Sequence, residues 1–217
     1  MNRKKLLIFL LAIIVLGGGG IGYYYWYQGK HYVKTDDARI QGDTYRILPQ
    51  IAGEITSMNV EEGDTVQQNQ AIAQQDTSNM DPSMIDKSVL RAPVSGTIIK
   101  LFSKDHEMAS PSSPVGLMVD MNDLYVSANI EETYVDRIQP GQVVDVTIDT
   151  LNGQTLKGKV RRVGKASNSM FSLLPATNTS GNFNKVTQRV PIEISLGKAP
   201  GLELIPGTNV EVKIHVS

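Results

Sequence analysis

The chain has 217 residues, room for one membrane anchor and one or two small modules. Its 21 basic and 22 acidic residues leave a net charge of −1, which argues against a general nucleic-acid binder, because neutralising phosphates needs a basic surplus. It has no cysteine, which excludes disulfides, thiolate metal sites, cysteine nucleophiles and a lipid-modified N-terminal cysteine.

Residues 1–5 carry Arg3, Lys4 and Lys5, and the next 22 positions, Leu6 to Tyr27, hold no charge. At about 1.5 Å per residue that run makes roughly 33 Å of helix, enough for a hydrocarbon core of about 30 Å. Tyr23, Tyr24, Tyr25, Trp26 and Tyr27 form the aromatic belt expected at a membrane–water interface. A cleaved signal would need small residues where these aromatics stand. The expectation is a single span at 6–27 in contact with lipid, with residues 1–5 inside and everything after about Gln28 outside the cytoplasmic membrane.

Beyond the anchor, short β-type runs alternate with Gly and Pro, and no long helical period appears. Ile51-Ala52-Gly53-Glu54-Ile55 matches Val94-Ser95-Gly96-Thr97-Ile98 at an offset of 43 residues. Pro49 or Pro93 precedes each, and a polar turn follows each: Glu61-Glu62-Gly63-Asp64-Thr65-Val66 in one, Lys104-Asp105-His106-Glu107-Met108 in the other. Gly53 and Gly96 are expected where a Cβ would be blocked, and Gly63 in a turn with positive φ.

Pro49 to Ile55 with Val60 to Val66, and then Leu90 to Ile98, resemble the two halves of a biotinyl/lipoyl-like domain. Two such halves behind an anchor resemble the membrane fusion proteins, the HlyD/EmrA-type adaptors of export systems. Thr35 to Ile40, Tyr125 to Thr133 and Ser180 to Pro191 carry the likeness further, the last being typical of the EmrA branch. The resemblance implies a lipoyl-like half-motif at 45–76, a short connector at 77–87 and a second half-motif at 88–123. Residues 28–44 would form a linker and a strand leading into the barrel-like/lipoyl-like region. Pro49, Gly53, Gly63, Asp64, Pro93 and Gly96 would be the structural residues of the half-motifs. One departure stands out: many relatives insert a long α-helical hairpin between the halves, whereas residues 77–87 amount to a loop, with Pro82 expected to interrupt any helix there. A short form of this kind could not reach across a periplasm by a coiled coil.

From 124 to 217, Val144, Val146 and Ile148, then Val190, Ile192, Ile194 and Leu196, then Val210, Val212, Ile214 and Val216 alternate with mostly polar residues. Period two predicts strands with one buried face, and several of them with Pro-Gly turns predict a small sandwich or barrel. A short helix is expected at Glu131–Ile138, and a long polar loop from Ser167 to Asn184. In that loop Met170, Phe171, Leu173 and Leu174, with Asn182 and Phe183, form a candidate contact with partner or membrane, or a patch packed on the barrel. The fold class is therefore mostly β: an N-terminal transmembrane helix, a split lipoyl-like domain and a small β-barrel-like domain.

Motifs for nucleotide binding, metalloprotease chemistry or acyl transfer are absent, and His31, His106 and His215 lack ligand spacing. Neither a catalytic residue nor a metal site nor a cofactor is expected. Lys87 is the one site to weigh: Asp86-Lys87 is the lipoyl-type dipeptide, yet an extracytoplasmic domain is remote from the ligases and oxo-acid enzymes that a carrier serves. The expected function is that of a non-catalytic, homo-oligomeric adaptor working with a polytopic exporter. An EmrB-like proton-driven major facilitator transporter is the first expectation, and an ATP-driven peptide or polysaccharide exporter the alternative. A lipoyl or biotin carrier and an envelope-polymer binder are the readings of another class.

Overall fold

The computed structural model describes residues 3–78, 80–151, 153–171, 187–197, 202 and 204–216, with side chains from Ile13 onward and without that of Phe171. Two units are present, one built from residues 1–40 and 125–217, the other from residues 41–124.

The first unit opens with α1 (Arg3–His31), which runs four residues beyond the expected end and passes directly into β1 (Tyr32–Gln41). Among the described residues no helix is long and apolar enough to cross a membrane. The side chains of Leu6 to Ala12, on which the expected span depends, lie outside the described ones. The remaining strands are β10 (Tyr125–Glu131), β11 (Val143–Ile148), β12 (Gln154–Val163), β13 (Arg189–Leu196) and β14 (Asn209–His215). They close a barrel in the order β1-β10-β13-β12-β11-β14. Strand β1 pairs with β14 from Tyr32↔His215 to Arg39↔Asn209, so the barrel is not confined to residues 124–217. The alternation works as expected: Val126, Ala128, Ile130, Val144, Val146, Ile148, Ile192, Ile194, Val210, Val212 and Ile214 are all buried and fill the interior. Val190 and Leu196, at the two ends of β13, are only partly buried. The expected helix at Glu131–Ile138 shortens to α2 (Glu132–Val135), because Arg137 and Ile138 donate to Tyr134 and Val135 at i−3 spacing and tighten the turn.

The second unit is a sandwich of two four-stranded sheets. Its strands are β2 (Thr44–Ile47), β3 (Gly53–Met58), β4 (Thr65–Val66), β5 (Ala71–Gln75), β6 (Val89–Arg91), β7 (Gly96–Leu101), β8 (Met108–Ala109) and β9 (Gly116–Val119). The sheet orders are β2-β9-β7-β4 and β6-β5-β3-β8. Exchanging β2 to β5 with β6 to β9 turns one order into the other, so each half contributes two strands to each sheet. Ile47, Ile55, Ile72, Leu90, Ile98 and Met118 form the shared core. Neither half can bury its apolar face alone, which explains why the repeat occurs twice.

The connector corrects one expectation. Pro82–Ser88 is a 3-10 helix, with Pro82 at its start rather than interrupting it. Asp81 caps it by accepting from the Ser83 N–H at 2.8 Å. A proline fits the first helical position because its φ is already set and its missing N–H would find no partner there.

Candidate partner-facing surfaces

The 43-residue offset extends to individual hydrogen bonds. Glu62 accepts from the Leu101 N–H at 3.0 Å, and its counterpart Asp105 accepts from the Met58 N–H at 2.6 Å. Asp64 accepts from Glu61 N–H at 2.8 Å, and Glu107 from Lys104 N–H at 3.1 Å. Gly63 has φ +99°, and the equivalent residue, His106, has φ +68°. Each of these turns thus clamps onto the strand of the other half, β4 on β7 and β8 on β3. The Leu101 N–H, and then Lys100, hold the Glu62 carboxyl below its ordinary value. The two strand glycines differ. A Cβ on Gly96 would stand 2.3 Å from the Val119 carbonyl oxygen, whereas one on Gly53 would meet nothing closer than 3.5 Å, so only Gly96 marks a close backbone approach. Nearby, the buried Gln75 donates from Nε2 to the carbonyls of Ile51 and Gly53 and fastens the segment after Pro49. Pro93 presents its carbonyl to Gln68. The half-motif residues therefore build the sandwich; they do not converge on a reactive group.

Lys87 is exposed on the 3-10 segment, while neighbouring Asp86 pairs with Arg91 at 3.5 Å. A helical turn holds the lysine, unlike the tight strand-to-strand turn that presents a carrier lysine.

In the barrel unit, the junction with α1 is tied from two sides. Arg137 donates to the carbonyls of Gly29 and Lys30, which no longer have an intrahelical donor, and the Val216 N–H donates to the His31 carbonyl at 2.8 Å. Lys30 lies 5.1 Å over the Trp26 ring, and the Tyr27 and His31 rings stack at 4.1 Å. On the outer wall, Asp145 receives Lys157 and the His215 ring, the latter at 2.9 Å. Burial opposes ionisation of Asp145, but these two partners outweigh it and leave its carboxyl below the usual range. Tyr32 meets His215 edge-on and lies under Lys213 at 3.8 Å. A groove of about 510 Å³ beside this cluster is lined by Lys34, Asp36, Asp145, Glu211 and Lys213 with threonines. Its charges are mixed, and Asp145 is paired with Lys157 and His215. Sequence reasoning passed over Arg137 and Asp145, since single charged residues in strands and turns give no pattern.

Of the candidate contact residues, Met170 is 75% exposed, in the 3-10 turn Asn168–Phe171, which Asn168 pins to Asn129 at 2.8 Å. Leu173, Leu174, Asn182 and Phe183 lie outside the described residues, as does the Phe171 side chain. Among the described residues no group of three or more His, Asp or Glu side chains could hold a metal ion.

Residues 123–215 match the AAEA-like β-barrel domain. The chain is 37% identical over 187 residues to a putative efflux system component, YhbJ, of Bacillus subtilis, covering 86% of this chain and 81% of that protein. The chain belongs to the membrane fusion protein family of efflux-system adaptors. It is also 35% identical to the colistin resistance protein EmrA of Acinetobacter baumannii, over 58% of this adaptor but only 36% of that longer protein. The fold is that of the membrane fusion protein Spr0693 from Streptococcus pneumoniae, with a TM-score of 0.62 at 12% identity, over 86% of this chain and 99% of that one.

Proposed function

We propose that this protein is the membrane-anchored, non-catalytic adaptor subunit of an exporter for hydrophobic toxic compounds, assembling as a homo-oligomer with a major facilitator transporter driven by protons. The observation that carries this reading is the match to a putative efflux component along most of both chains, supported by the partial match to an EmrA whose name records drug resistance. The uncharged run at 6–27 behind Arg3, Lys4 and Lys5 supports an anchor with residues 1–5 inside and both β units outside. The sandwich then corresponds to half-motifs at 45–76 and 88–123 joined by the connector at 77–87. A connector this short supports action close to the cytoplasmic membrane. Energy comes from the transporter.

Deletion of the gene is expected to raise sensitivity to some hydrophobic compounds by the same factor as deletion of the partner transporter, and the double deletion to add nothing. Unchanged export after deletion, with the transporter present, would contradict the proposal.

A further inference from the structure

The end of the barrel that joins α1 has its own chemistry. Register places the start of β1, the ends of β10, β12 and β14 and the start of β13 at this end: Tyr32 pairs with His215, and Glu131 with Arg189. Exposed Lys30, Lys34, Lys157, Arg161 and Lys165, with half-exposed Lys213, lie here, and the opposing carboxylates are Glu131, Glu132, Asp136 and Asp145, the last across from Lys213 and paired with Lys157. Three exposed apolar side chains share this end: Met170, Tyr134 at 44% and Val143 at 41%. Toward the opposite end the exposed groups include Asp149 and Glu211, with Arg39 donating to Asn209.

The distance to the aromatic belt is fixed. No residue separates α1 from β1, and Arg137 and Val216 bond the last helical carbonyls to the barrel. Tyr32 follows Trp26 by six positions, a rise of about 9 Å, while the headgroup layer on each side of a bilayer is roughly 5–8 Å deep.

We infer that the α1-side end of the barrel is a docking surface for anionic phospholipid headgroups in the outer leaflet of the cytoplasmic membrane, with Met170 and Tyr134 reaching the interface beside Lys34, Lys165 and Lys213. The basic surplus matches the occupant in charge, and the apolar side chains among the cations match the layered polarity of a bilayer surface. The inference rests on the anchor reading of residues 6–27.

Because the natural chain has no cysteine, the full-length protein can carry one fluorophore, on Met170→Cys or, at the opposite end, on Thr150→Cys. Each is reconstituted in nanodiscs of phosphatidylcholine, with or without phosphatidylglycerol, containing a headgroup spin-label quencher. The expected result is that the probe at 170 is quenched at least about twofold more in anionic discs than in neutral ones, and that this excess is lost in high salt and in Lys34→Glu/Lys165→Glu/Lys213→Glu. The probe at 150 stays unquenched throughout. Equal quenching at 170 and 150, or quenching at 170 indifferent to lipid charge, in protein that co-elutes with the discs overturns the inference alone and leaves this face to a protein partner or solvent. Failure to co-elute overturns the anchor and the inference with it.

Discussion

At the scale of single residues, Gly96 and Gly53 share a motif but not a constraint. The Cβ of Gly96→Ala would collide with backbone, which cannot step aside as a side-chain tip can, so the sandwich should lose about 1–3 kcal/mol. Gly53→Ala should cost less than about 0.5 kcal/mol. Thermal melts of the two variants check this, and equal losses would contradict it. Glu62 makes a second prediction. Its carboxyl titrates below the ordinary 4.5 in the folded chain, so its stabilisation is complete above about pH 4.5 and fades as pH falls through the lower folded value. Glu62→Gln keeps an acceptor for Leu101 but cannot titrate. The variant should melt slightly earlier at neutral pH and lose less stability on acidification, whereas an acid limb as steep as the parent's would count against this role.

Elements differ in how openly the sequence declares them. The two half-motifs were legible because Gly53 and the apolar residues beside it recur 43 residues on at Gly96, and barrel strands β11 and β14 because Val and Ile alternate cleanly. The clamps of the turns on the facing strands were hidden, since the repeat replaces Glu62 with Asp105, Asp64 with Glu107 and Gly63 with His106. The geometry survives any carboxylate and any residue that tolerates positive φ. A strand was expected within residues 28–44, but the place of β1 in the barrel was hidden, because Asp36 and Asp37 break its alternation where the register shifts between Thr35 and Ala38. The join of α1 to the barrel depends on Arg137, 107 residues from Lys30, a distance no local pattern reveals. Arg137→Ala should leave the Gly29 and Lys30 carbonyls without that donor, lower stability by about 1–3 kcal/mol and speed amide exchange around Tyr32. Exchange as slow as in the parent chain would show that the helix end is held by other contacts.

On the scale of the whole molecule, this family adaptor joins the two halves of its sandwich by one 3-10 turn, Pro82–Ser88, within the short connector expected at 77–87. It has the sandwich of two four-stranded sheets and the six-stranded barrel. The central claim is partnership with an exporter, and in-cell crosslinking followed by affinity purification through a C-terminal tag and mass spectrometry tests it most directly. A many-helix, proton-coupled transporter as the dominant crosslinked partner is the predicted result. Recovery of wall-associated proteins or polymer alone, with no transporter, would contradict it.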